Sequence, residues 1–132
     1  GLMMKCVVQV ENNQFQEDVD DATQLKNGPL LYNMATCHSL TIIDGILSGD
    51  PLDLIMFDAI GWNLEEPGEE ECRFDMMVPT VVYPSSQYKN ANETQIGVVR
   101  QFTFTSALQR MSVIVRNLID NHFLSVCVCL SN

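Results

Sequence analysis

The stretch Gly49-Asp50-Pro51-Leu52-Asp53 puts two carboxylates at the head of an apolar run. Asp50 suits a helix N-cap, because its carboxylate can accept first-turn N–H bonds, and Pro51 suits the first helical position, where no N–H is needed. Asp53 is more acid than a cap requires. The helix dipole favours a carboxylate there, and the same carboxylate could accept a bond from a ligand. Cys37-His38 suggests a thiol and a base. Helical neighbours point about 100° apart, so these two cannot pair with each other. A packed histidine beside a buried cysteine is the simpler reading, and His122 shows no sign of acting as a remote base. Two histidines and scattered cysteines give no metal-ligand spacing. The many carboxylates fall in loops without an apolar pocket to raise a pKa. Neither common phosphate-cradling glycine loop occurs. These residues therefore point to a binding or scaffolding domain, with no catalytic residue and no metal site of its own.

Charge narrows the partner. The 132 residues carry a formal charge of −10 and are 46% hydrophobic. Disorder throughout is excluded by that apolar content, and nucleic acid is disfavoured as a partner of the whole surface. Acid gathers at Glu11, Glu17, Asp18, Asp20 and Asp21, and again at Glu65, Glu66, Glu69, Glu70, Glu71 and Asp75. Between Glu93 and Asp120 there is no acid, only Arg100, Arg110 and Arg116. An anionic ligand meets least repulsion there. The five cysteines, Cys6, Cys37, Cys72, Cys127 and Cys129, are odd in number and irregularly spaced, as expected of reduced thiols in a cytosolic domain. No window is long and apolar enough to span a bilayer, and the first residues lack the pattern of a signal peptide.

The elements that must position these groups follow from periodicity. "CVVQVEN" reads as a strand followed by an acidic polar loop to about residue 27. Leu30, Leu31, Met34, Ala35 and His38 fall on one side of a helix, which "SGD" separates from a second helix over Pro51–Ile60 with Gly61 at its end. Two helices joined by a short loop make a helical hairpin. Beyond Trp62 come a strand end, an acidic loop, and "MMVPTVVY", which Pro79 demotes to an edge or bulged strand. "PSSQYKNANET" reads as a turn-rich surface loop. "IGVVRQFTF" and "RMSVIV" form an antiparallel hairpin about "TSALQ". In the first strand Ile96, Val98, Phe102 and Phe104 share one parity that Arg100 interrupts; in the second Met111, Val113 and Val115 alternate. "HFLSVCVCL" is a final strand-like run with Leu124, Val126, Val128 and Leu130 on one face. The expected class is α+β: an antiparallel sheet flanked by the helical hairpin.

Two of these stretches, "CHSLTIIDGILSGDPLDLIMFDAIGWNLEE" (37–66) and "IGVVRQFTFTSALQRMSVIVR" (96–116), resemble the nucleotide-binding domain of P-type ATPases, most closely the fifth class of polyamine and cation pumps. The resemblance covers most of residues 1–118. It implies a domain of antiparallel strands and flanking helices that holds ATP, with Mg in the intact enzyme. It also implies delivery of the γ-phosphate to an aspartate on a neighbouring phosphorylation domain. On that likeness Asp53 is the acid at the adenine pocket, Asp50 keeps its capping role, and Phe104 stacks on the base, where a flat apolar ring needs no fixed hydrogen bonds. Ser106 lines the pocket. Relatives carry a lysine five residues after the phenylalanine; here that position is Gln109, with the cation one place later at Arg110.

The family's Asp-Lys-Thr-Gly-Thr sequence is absent and is expected upstream of residue 1. Its Lys-Gly-Ala motif is expected soon after residue 118, where this chain reads "IDNHFLSVCVCLSN". Residues 119–132 are therefore expected to be a divergent tail, with millimolar ATP binding, about −4 kcal/mol. The expected partners are ATP and the phosphorylation and actuator domains of the same pump, on the cytosolic face of an endosomal or lysosomal membrane. The fragment alone makes no membrane contact and is inactive. The alternative is an α+β interaction module with lapsed ATP binding, whose acidic loops engage a basic partner; salt would weaken such contacts.

Overall fold

Asn12 and Asn13 both have positive φ, 51° and 60°, the backbone of a tight turn that joins two antiparallel strands, β1 (Val7–Glu11) and β2 (Gln14–Val19). The computed structural model describes residues 3–66, 80–85 and 94–129, with backbone only over 125–129. β2 lies where an acidic loop is expected. Its polar residues hide the strand because almost all of them are exposed, leaving no buried face to mark a period of two. A short 3-10 turn (Ala22–Gln24) follows, capped by Asp21.

Helix α1 (Pro29–Thr36) buries Leu31, Met34 and Ala35. It stops before Cys37, so His38 lies beyond the helix that its spacing suggests. Helix α2 (Pro51–Ile60) has the expected ends: the Asp50 carboxylate accepts from Leu52 N–H at 2.8 Å, and Gly61 closes it at φ 72°. The two helices contact each other. Their connection is no short loop, however. Between them runs a hairpin of β3 (Thr41–Ile43) and β4 (Ile46–Ser48). Asp44 and Gly45 at its tip have φ 52° and 77°, the pair of positive values that a type I′ turn requires.

The main sheet is antiparallel, in the order β5 (Trp62–Glu65), β6 (Thr80–Pro84), β7 (Ile96–Thr105), β8 (Arg110–Asn117), β9 (Phe123–Cys129). β6 is an interior strand rather than an edge, because it begins at Thr80, past the proline that prompts the edge reading. Pro79, the acidic residues 69–75 and most of the loop expected at 84–94 lie outside the described residues. The helices cover one face of the sheet. Phe57 and Ile60 of α2 and Leu31, Met34 and Ala35 of α1 join Trp62, Leu64, Val82, Ile96, Val98, Val113 and Val115 in one buried cluster. The chain is thus an α+β domain of antiparallel sheets and two helices. No described helix is long and apolar enough to cross a membrane.

Two register shifts in β7 decide where its side chains point. Val98 pairs with Val115, but Arg100 pairs with Ile114, so Val99 is an extra residue. Phe102 pairs with Ser112 and Thr105 with Arg110, so Thr103 and Phe104 together oppose Met111. Directly paired residues share a face, and one extra residue reverses the face of all that follows. Ile96 and Val98 therefore face the helices, Arg100 and Phe102 face away, and Phe104 returns to the helix side. The common parity of Ile96, Val98, Phe102 and Phe104 does not hold. Neither phenylalanine is core: Phe102 is 42% exposed and Phe104 46%.

Candidate functional site

α1 ends at Thr36, and the next three residues touch β8, α2 and β7. Cys37 is buried, and its Sγ donates to the carbonyl of Met111 on β8 at 3.5 Å. His38 follows, 4% exposed, with its ring edge-on to Phe57 at 5.2 Å. Its Nε2 lies 2.7 Å from the Ala35 carbonyl, which can only accept, so Nε2 carries the proton. Its Nδ1 accepts from Leu40 N–H at 3.2 Å. Both nitrogens are committed to the main chain in the neutral ring. Burial lowers the pKa of His38, opposed by the Ala35 hydrogen bond and the Asp53 charge. This environment fits the packed histidine and leaves no nitrogen to activate a thiol.

Ser39 is the junction. Its N–H donates to Asp53 Oδ2 at 3.4 Å, and its Oγ accepts from Gln101 Nε2 at 2.7 Å. The first turn of α2 is thereby tied through Ser39 to β7. Asp53 is half-buried, and its Oδ1 has no partner among the described residues. Gln101 pairs with Val113, which is fully buried, so Gln101 lies on the helix side of the sheet. Phe104 lies on that side too, three residues on, about 10 Å along the strand. The structure thus sets Asp53, Ser39, Gln101 and Phe104 along one side, with Phe104 exposed.

The turn after Phe104 is held by Thr105. Its carbonyl accepts from Gln109 N–H at 2.7 Å and its Oγ1 from Leu108 N–H at 3.3 Å. Ser106 and Gln109 are exposed on this turn, Gln109 at φ 53°. Arg110 is not brought together with Asp53 and Phe104. It pairs with Thr105 on the far face, and its Nε donates back to the Leu108 carbonyl at 3.3 Å. Ser39 and Gln101 escape a reading of the sequence alone. Serine beside a helix end is commonplace, and the face of Gln101 depends on an upstream bulge that residue types do not announce.

No family model matches the chain. Over 136 aligned residues it is 47% identical to the polyamine-transporting ATPase 13A3 of Mus musculus, a match covering 89% of the chain and 11% of that protein. Over 120 residues it is 42% identical to the probable cation-transporting ATPase catp-6 of Caenorhabditis elegans, covering 82% of the chain and 9% of the relative. Over 96 residues it is 45% identical to the probable cation-transporting ATPase 13A5 of Mus musculus, covering 72% and 8%. The chain spans about a tenth of the length of these curated relatives. Its homologues are members of the 13A family of P-type ATPases, cation- and polyamine-transporting pumps that it matches along one short segment.

Proposed function

We propose that this chain is the nucleotide-binding segment of a P-type cation or polyamine pump and holds the base of ATP between Phe104 and the first turn of α2. The supporting observation is the double bulge in β7, which returns the Phe104 ring to the side bearing Asp53. An open aromatic face suits a purine, and Asp53 Oδ1 is an acceptor without a partner among the described residues, suited to the exocyclic amine of adenine. A carboxylate belongs at the base end, away from phosphate charge. Ser39 and Gln101 fix its position, and Ser106 and Gln109 line the open end beyond the ring. Arg110 reaches the triphosphate only around the turn, so phosphate contacts from this segment are weak. In the intact pump the γ-phosphate, with Mg, passes to an aspartate of a phosphorylation domain outside this chain. The domain works on the cytosolic side of an endosomal or lysosomal membrane. Residues 1–118 supply the cleft, and the divergent residues 119–132 supply β9.

Titration of ATP into isotope-labelled protein tests this. Millimolar ATP is expected to shift the amides of residues 39, 53 and 101–109, and Phe104→Ala is expected to abolish those shifts. Unmoved spectra at several times the expected millimolar Kd, about −4 kcal/mol, would count against the proposal.

A further inference from the structure

The two bulges that turn Phe104 towards the helices also sort the basic residues. Arg100 pairs with Ile114 on the side away from the helices, and Arg110, Ser112, Ile114 and Arg116 alternate with the buried Val113 and Val115 on β8. All three arginines of the acid-free stretch therefore stand on one face of the β7–β8–β9 surface. Two of them lie over aromatic rings: Arg100 is 4.8 Å from the centroid of the Phe102 ring and Arg116 is 5.7 Å from that of Phe123. Arg116 also donates from Nη2 to Asn121 at 2.7 Å. Phe102 and Phe123 remain 42% and 55% exposed, and Arg100 and Arg110 are exposed. Among the described residues none of the three guanidiniums meets a carboxylate. In a chain of net charge −10, three of the seven basic residues stand together with no acid between positions 94 and 119.

We infer that this outer face docks an acidic protein segment. Charge complementarity carries the assignment. Stacking on a ring holds a guanidinium flat and leaves its edge N–H groups for a carboxylate, and arginine binds carboxylates through two parallel hydrogen bonds. The open rings add apolar contact beside the charges. The net negative charge of the chain does not forbid this, since at physiological salt repulsion from remote acids fades beyond about 8 Å. The face is opposite the side that carries Asp53 and Phe104, so the inference does not depend on nucleotide binding.

The test measures anisotropy of a fluorescein-labelled, glutamate-rich peptide mixed with the full chain. Binding is expected at low ionic strength and is expected to vanish at about 1 M salt, where screening acts within about 3 Å. Arg100→Gln is expected to weaken it about two- to fivefold, and Phe102→Ala in the same direction. Lys26→Gln, which removes a cation off these strands, should leave it unchanged. Circular dichroism confirms that each variant is folded, and Arg100→Lys, which keeps the charge, should fall between wild type and Arg100→Gln. No capture at low salt overturns the inference, as does equal weakening by Lys26→Gln and Arg100→Gln. Displacement of the peptide by millimolar ATP would assign the face to nucleotide instead. Self-association that Arg100→Gln dissolves, without peptide capture, would assign it to a second copy.

Discussion

Gly49 sits immediately before the cap of α2, and replacing it with alanine should move the helix start that positions Asp53. Its φ is 154°, a value that side-chain-bearing residues rarely adopt. Holding such a residue there costs about 1–3 kcal/mol. An added Cβ would also stand 2.7 Å from Leu40 Cδ2 and 3.4 Å from Leu40 Cα. Leu40 is only 5% exposed, so its methyl cannot swing into solvent, and relieving the overlap adds about 1–3 kcal/mol. Loss of unfolded-state freedom returns about 0.4–1 kcal/mol. The net expectation for Gly49→Ala is a destabilisation of about 2–4 kcal/mol. Gly45→Ala is the control: its φ of 77° is also positive, but nothing lies within 4 Å of the added carbon. The backbone alone then costs about 1–2 kcal/mol, and the same unfolded-state return leaves a net of about 0.5–1 kcal/mol. Thermal unfolding followed by circular dichroism should separate the two Tm values by about 5–12 °C, at about 3–4 °C per kcal/mol for a domain of this size. Equal Tm values would refute the close packing of the Gly49 turn against Leu40.

Asp50→Ala should cost about 1 kcal/mol in urea unfolding, because Leu52 N–H loses its side-chain acceptor. His38 makes stability depend on pH. Its folded pKa lies below the unfolded value, so its contribution is complete above about pH 6.5 and declines as pH falls from there towards the folded pKa. Urea midpoints taken downwards from pH 7 should show that decline before the carboxylates titrate, and NMR at pH 6.5 should find the His38 ring less protonated than that of a free histidine. Phe57→Ala empties a side chain that is 2% exposed and in edge contact with His38; a loss of about 3–5 kcal/mol is expected by chemical denaturation.

The sequence was most legible where a single residue type has a single physical use. Asp50, Pro51 and Gly61 bound α2 as capping chemistry requires, since each answers a local need of the helix end. The alternation of Val113 and Val115 is equally plain, because β8 has no bulge to disturb its period. Asp44-Gly45 carried a hairpin signal too, but its strands are three residues each, too short for alternation to show against the apolar run around them. The candidate site was harder to see. Asp53 and Phe104 are recognisable as types, yet their common side depends on two extra residues in β7, and a bulge is a property of pairing between strands that no single strand records. Reading β7 as an unbroken strand puts Arg100 among core residues and joins Phe102 to Phe104. The register separates them and explains why a charged residue stands in that run.

The proposed function rests on a purine lying against the ring of Phe104. The most direct measurement is an intermolecular nuclear Overhauser experiment on protein labelled only at phenylalanine rings, in millimolar ATP. Cross-peaks are expected from adenine H2 or H8 to the Phe104 ring, lost in Phe104→Leu, with none to Phe102 on the opposite face. Cross-peaks to Phe102 instead, or a bound nucleotide that touches neither ring, would contradict it.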